Sequence, residues 1–160
     1  MSKRPGHNAK EVREEAAHLL LPRVIEWMSR DGDVQDDPEE IIDQLADALE
    51  DDDGYEIAKN LDNAGWFDVD ANLVEILDSA GHFKSEARNT LVKKWAIENE
   101  ISAAIPIGTH VKTPRGDGVV SGVRADTAEY IVQTPDRTWS GLGTGYVMAA
   151  EDCEATGLGK

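Results

Sequence analysis

The hydrophobic pattern of this 160-residue chain changes its period near Asn99. Before this residue, apolar side chains recur every three or four positions, which is the spacing of amphipathic helices. After it, short runs rich in Val, Tyr and Ile alternate with turn sequences such as PRGDG, TPDR and SGLGTG, which is typical of short antiparallel strands. The change predicts an α+β chain, in which a bundle of four or five short helices precedes a small antiparallel β-barrel.

The two patterns set the expected domain boundaries. We predict a flexible terminus over 1–7, an acidic helical domain over 8–100, a linker over 101–105, a small β-barrel over 106–154 and a flexible tail over 155–160. The longest apolar run, Leu19 to Pro22, is far shorter than the ~20 residues of a membrane span. A single cysteine, Cys153, excludes an internal disulfide and fits a reducing compartment. We therefore expect a soluble cytoplasmic protein, in the host cytoplasm if a phage encodes it.

Capping signals predict where the first helices begin. Asn8 followed by Glu11 is a capping box, and Asp37 is an N-cap followed by Pro38 at the first helical position. Pro22 lies inside the first helical pattern and is expected to kink or split that helix, because proline lacks the backbone N–H.

A near-repeat links two segments, LDNAGWF at 61–67 and LDSAGHF at 77–83. Gly65 and Gly81 are expected to be left-handed residues that end a helix in each copy. A last helix is predicted to start at Ser85. Two copies shorter than the ~20–50 residues of solenoid repeats predict local architecture and no function.

The strand-like part carries a resemblance to a known fold. The row GTHVKTPRGDGVVSGV…EYIVQTPD…YVMAAEDCE, with its G-x-x-V-x-x-P-x-G-x-G-x-V opening, resembles an SH3-like barrel of the KOW/Tudor kind over about 106–154. Such barrels host many unrelated binding roles. The resemblance implies that Tyr130, Trp139 and Tyr146 line one mouth of the barrel as ligand contacts, and the alternative is that Trp139 packs over a barrel edge.

Negative charge is concentrated in one segment of the chain. Between Asp31 and Asp78 there are eighteen Asp and Glu residues and one basic residue, Lys59, which gives a formal charge of −17, whereas the whole chain carries −16. A field of this size repels nucleic acid and anionic membranes and attracts cations or a basic protein surface. We therefore expect a basic protein partner, including one that itself binds nucleic acid, and no direct contact with nucleic acid or membrane.

One predicted helix arranges these acids in a row. At about 100° per residue, five carboxylates fall on the face opposite Leu45, without a Lys or Arg in the helix to balance them. Like charges four residues apart cost a few tenths of a kcal/mol per pair, so the row favours a partner-binding face over a face that serves solubility alone. Trp66 and Trp139 are further candidate contacts because Trp is enriched at interface hot spots, although each is also suited to packing over a cap or barrel edge. The candidate partner-binding residues are Asp36, Glu40, Asp43, Asp47, Glu50, Asp51, Asp52, Asp53, Trp66 and Trp139.

The sequence does not match known metal-binding or catalytic motifs. An EF-hand loop counted from Asp31 has Asp36 at position six, where Gly is required, and Ile42 at position twelve, where Glu is required. Cys153 lies between acidic residues, which raise a thiol pKa and suppress nucleophilicity. The chain contains no HExxH, CxxC, Gly-x-Ser-x-Gly or GK[ST] pattern. We expect no catalytic residue, no metal site and no cofactor.

These observations favour a non-enzymatic inhibitor or adaptor. Such a protein could dock in two ways, by mimicking nucleic acid or by ordinary electrostatic steering onto a basic partner, and the sequence leaves both open. Small acidic proteins of phages and mobile elements that disarm host nucleases are similar to this chain in size and charge. The alternative is a structural component of a larger assembly such as a virion, with the β-barrel as its contact module. An enzyme with a pocket that joins distant groups is a third hypothesis.

Overall fold

A computed structural model describes residues 3–32, 36–66, 68–135 and 145–157 of the chain. The described residues form five α-helices followed by a five-stranded antiparallel sheet, which confirms the predicted α+β class. None of the helices in these ranges is long and apolar enough to cross a membrane. The helices are α1 Lys10–Met28, α2 Pro38–Ala48, α3 Gly54–Asn63, α4 Ala71–Leu77 and α5 Ala80–Glu98.

The chain divides into two compact units. One is Pro5–Leu91, and the other is Met1–Arg4 together with Val92–Lys160. The first unit contains α1 to α4 and the first part of α5. The second contains the end of α5 and the sheet.

One face of each helix forms the core of the first unit. Leu20 on α1, Leu45 on α2, Leu61 on α3 and both Leu73 and Leu77 on α4 are fully buried. Full burial of one such side chain stabilises the fold by ~1.5–3 kcal/mol. The apolar stripe predicted on α2 is therefore the face that packs inward.

Carboxylate caps begin three of these helices. Asp37 accepts a hydrogen bond from the Glu39 N–H at 3.0 Å and is followed by Pro38, which confirms the predicted cap of α2. The Asn8 capping box is wrong, because α1 begins after Ala9 and no side chain caps it. The Ala9 N–H instead donates to the Gly6 carbonyl, a backbone turn that moves the start of the helix past Asn8.

Two further expectations concern the helices. A split at Pro22 is not seen, because α1 continues to Met28 with its buried face on both sides of the proline. Gly65 has φ 98° and follows α3 as predicted, whereas Gly81 lies inside α5, which starts at Ala80 rather than at Ser85. In both helices, packing of the apolar face against the core outweighs the helix-breaking tendency of the proline or glycine.

The sheet is a meander with one returning strand. Its order is β4-β3-β2-β1-β5, and every neighbouring pair is antiparallel. The four longer strands lie in the part of the chain where short antiparallel strands were predicted, and the short β5 was not foreseen. Among the described residues β4 and β5 are the two edges, so the sheet is open and the predicted closed barrel is not seen. The strands are β1 His110–Thr113, β2 Gly116–Arg124, β3 Glu129–Gln133, β4 Tyr146–Ala149 and β5 Glu154–Ala155.

Candidate partner-binding surface

The five carboxylates predicted as a row are all exposed. Only Glu40, Asp43 and Asp47 lie within α2, because Asp36 precedes its N-cap and Glu50 follows its C-cap. We call these five residues the acidic row. Its three members within α2 share the solvent side of that helix, since the intervening apolar residues are buried.

One basic residue pairs with the end of the acidic row. Arg13 of α1 places its Nη1 3.3 Å from Glu50 Oε1 and donates to the Ala46 carbonyl at 3.0 Å. The expectation of a row without a basic partner is therefore wrong at Glu50, because Arg13 comes from another helix and local spacing does not reveal it. Arg13 also donates to the Asp47 backbone carbonyl at 3.5 Å. Within the described ranges, no basic side chain forms an ion pair with the carboxylates of the row's other four members, Asp36, Glu40, Asp43 and Asp47.

The three consecutive aspartates after the row have different roles. Asp52 Oδ1 accepts a hydrogen bond from Lys84 Nζ at 2.7 Å and lies 3.2 Å from His7 Nε2. Lys84 is fully buried, and its hydrogen bond is the largest cause that holds the pKa of Asp52 below the usual value. Asp53 caps α3 by accepting from the N–H groups of its first turn at 3.0 and 3.1 Å. Asp51 is exposed, and its carbonyl accepts from Lys84 at 3.3 Å.

Trp66 is held between the core and the acidic row. Its ring stacks on Trp27, with centroids 6.4 Å apart and planes inclined by 16°. Its indole N–H donates to Gln44 Oε1 on α2, and its backbone N–H donates to the Leu61 carbonyl at the end of α3. Trp66 is 9% exposed, so it packs over the end of α3, which is one of the two roles that the sequence left open for it.

Arg30 and Asp70 fix the other side of this tryptophan pair. Arg30 lies 2.5 Å from Asp70 Oδ2, and its guanidinium sits 4.6 Å from the Trp27 ring centroid. Asp70 also accepts from the Trp27 indole N–H at 2.9 Å and from the Leu73 N–H at 3.0 Å. The Leu73 hydrogen bond is the largest cause that lowers the pKa of Asp70 to about 2, and Trp27 and Arg30 lower it further while burial opposes them.

A pocket of about 320 Å³ lies beside the two tryptophans, and we call it the tryptophan pocket. Two members of the acidic row, Asp36 and Glu40, line it together with Trp66. The sequence indicated these three residues separately, but it did not predict the pocket, which needs segments from α1, α2 and the end of α3. Its lining also includes the apolar Trp27, Met28 and Ile41, and the charged Arg30 and Asp68.

The structure describes two of the three aromatic residues expected at the mouth of the barrel. Tyr130 is buried in the core of the sheet, and its hydroxyl accepts from the Ile105 N–H at 2.8 Å. Tyr146 is half-buried, with the Arg115 guanidinium 4.5 Å from its ring centroid. Trp139 lies outside the described residues.

Two chemical expectations concern reactive groups. The pKa of the Cys153 thiol is raised, first by burial and then by Asp152 and Glu151, which confirms the predicted direction. In the part of the chain that the structure describes, no group of three or more His, Cys, Asp or Glu residues is arranged to hold a metal ion.

No protein-family model, curated protein or solved structure matches this chain. The functional conclusion therefore rests on the geometry and charge of the acidic row and its surroundings.

Proposed function

We propose that this chain is a non-enzymatic acidic binding protein, an inhibitor or adaptor that docks on a basic protein surface. The observation that carries the proposal is the exposed acidic row, four of whose five carboxylates pair with no basic side chain among the described residues. Unbalanced like charges on one helix face oppose folding slightly, so their retention favours a role in binding.

The helix beneath the row supports docking because it is held in place before binding. The buried residues Ile41, Ile42, Leu45 and Leu49 fix α2 against the core. A preorganised surface loses little conformational freedom on association, which improves affinity. At ~1.5 Å rise per residue, the three members of the row within α2, Glu40 to Asp47, extend about 10 Å along the helix.

The charge spacing favours a partner that binds nucleic acid. Successive carboxylates within α2, from Glu40 to Asp43 and from Asp43 to Asp47, climb ~5 Å each, compared with ~3.4 Å between phosphates of one DNA strand. A basic groove that accepts a phosphate backbone is therefore complementary to this face. We place such an inhibitor in the cytoplasm, as in anti-defence proteins of phages and mobile elements.

Affinity capture tests the proposal. The full chain is used as bait in nuclease-treated host lysate at about 50 mM and about 500 mM salt, where screening lengths differ several-fold. A stoichiometric partner with a basic groove that is lost at the higher salt supports docking through the row. A partner retained equally at both salts would contradict it.

A contact module within a larger assembly is the second candidate function. On the sheet, Val147 of β4 is 47% exposed and pairs with the partly exposed Ile131 of β3. Exposed apolar groups of this kind occur at contact sites. The meander with β5 returning to β1 supports the proposal that this sheet is an SH3-like module. Sedimentation of the wild-type chain and of Val147→Lys tests this candidate, which predicts concentration-dependent assembly only for the wild type.

A further inference from the structure

We infer that the tryptophan pocket takes an arginine side chain of the basic partner, an inference that rests on the proposed function and adds a specific recognition site to it. The pocket volume of about 320 Å³ is at the lower end of the range of ligand sites. It therefore suits one long side chain better than an extended ligand. Two members of the acidic row already line it, so a basic surface lying along the row passes over the pocket.

The apolar lining fits the stem of a long basic side chain. Trp27, Met28, Ile41 and Trp66 contribute to the lining, and the two indoles stack with centroids 6.4 Å apart. Arginine buries its methylene groups along apolar surface while its charged head remains near polar groups. An acidic side chain or a neutral polar side chain lacks the positively charged head that arginine adds to its apolar stem.

The charged lining fits the guanidinium head. Asp36, Glu40 and Asp68 contribute three carboxylates, whereas Arg30 contributes one cation whose charge is paired with Asp70 at 2.5 Å. The lining is therefore net negative and attracts a cation. Guanidinium also binds carboxylates through two parallel hydrogen bonds and stacks on indole, which an ammonium does less well.

The chain itself contains an example of this recognition. The Arg30 guanidinium lies 4.6 Å from the Trp27 ring centroid while Asp70 binds its Nη1. An arginine on an indole, held by a carboxylate, is thus accommodated by the residues around the pocket. The inferred ligand repeats the same chemistry on the side of Glu40 and Trp66.

A short peptide pair tests the inference without the partner. The assigned indole N–H signals of the full-length protein are followed by NMR while acetyl-Gly-Arg-Gly-amide is added at low ionic strength. The same peptide with citrulline in place of arginine has the same shape without the charge. We expect saturable shifts of the Trp66 and Trp27 signals with the arginine peptide and none with the citrulline peptide.

Two matched variants show whether binding depends on the pocket. Glu40→Gln removes a carboxylate of the lining, and Glu75→Gln makes the same change at an exposed position on α4 that does not line the pocket. We expect Glu40→Gln to weaken arginine-peptide binding about five-fold, as loss of one charge-assisted contact implies. Glu75→Gln should bind as the wild type does.

Several results would overturn the inference: no shift with either peptide, equal shifts with both peptides, or equal weakening by the two variants. These outcomes are independent of the capture experiment. If the salt-sensitive partner is found and the peptide does not bind, docking through the row stands and the arginine pocket falls. If the peptide binds and no partner is captured, the pocket stands as a guanidinium site and the docking role falls.

Discussion

The ammonium of Lys84 lies 2.7 Å from the carboxylate of Asp52, although Lys84 is fully buried and the Asp52 side chain is 57% exposed. This pair separates the acidic segment into two kinds of residue. Asp52 stabilises the fold by neutralising a buried cation, whereas Asp43 and Asp47 have no such task in the described residues. Substitutions can therefore test folding and binding separately.

Replacement of Asp52 by Asn should destabilise the protein because Lys84 then keeps a buried charge without a counter-ion. We expect a loss of about 1–2 kcal/mol in the free energy of unfolding, less than for a pair buried at both ends because water reaches Asp52. Asp51→Asn removes the same charge from the neighbouring residue and should change stability by less than about 0.5 kcal/mol. Urea unfolding of both variants measures the difference, and equal losses would contradict the role of Lys84.

Acid should weaken the fold through Asp70. Its pKa of about 2 in the folded protein is below the usual value of 3.8, so its contribution is fully present above pH 4 and is lost as pH falls towards 2. Asp70→Asn should show a smaller loss of stability across this interval than the wild type. Unfolding of both proteins, followed by far-UV circular dichroism at several pH values, checks this. Parallel curves for the two proteins would exclude Asp70 as a source of acid sensitivity.

Gly54 and Gly81 are both near helix starts, yet alanine should have opposite effects at the two positions. A Cβ at Gly54 would collide with Asp78 Oδ1 and lie 2.7 Å from the Val74 carbonyl oxygen, so Gly54→Ala should destabilise by about 1–3 kcal/mol. Apart from its chain neighbours and the helix's own backbone, nothing lies within 4 Å of a Cβ at Gly81. Alanine is also the better helix former, so Gly81→Ala should stabilise by up to about 1 kcal/mol. Thermal unfolding measures both. A destabilised Gly81→Ala protein would mean that Gly81 is not helical.

Arg4 should be needed for the stability of the unit that contains the sheet. Its guanidinium donates to Glu151 at 2.7 and 2.8 Å and to the carbonyls of Thr127 and Ala128 at 2.8 and 2.9 Å. Lysine lacks this planar fork, so Arg4→Lys should lose about 2 kcal/mol. Lys3→Ala, at an exposed neighbouring position, should be close to neutral. If lysine at position 4 gives wild-type unfolding, these hydrogen bonds contribute little.

Features determined by a few neighbouring residues were predictable from the sequence. Asp37 and Pro38 define the start of α2 through one side-chain hydrogen bond and one fixed backbone angle. The burial of Leu45 follows from the helical period, and Gly65 ends α3 in the left-handed conformation. The alternation of apolar residues similarly predicted the four longer strands.

Features that depend on packing between distant segments were not predictable. Gly81 occupies the same position in the near-repeat as Gly65, but it is placed within a helix whose apolar face packs into the core. The pairing of Arg13 with Glu50 and the stacking of Trp27 on Trp66 each join different elements. The tryptophan pocket is made of such contacts. Some of its residues were therefore predicted individually, but the pocket itself was not.

Charge reversal in the middle of the acidic row shows whether the partner docks on this surface. The double variant Asp43→Lys/Asp47→Lys is compared with Asp62→Lys/Glu75→Lys, which changes the net charge equally at exposed positions outside the row. With the captured partner, we expect the row variant to lose binding and salt sensitivity while both variants keep the wild-type circular dichroism and unfolding midpoint. Wild-type affinity in the folded row variant would exclude the acidic row as the docking surface.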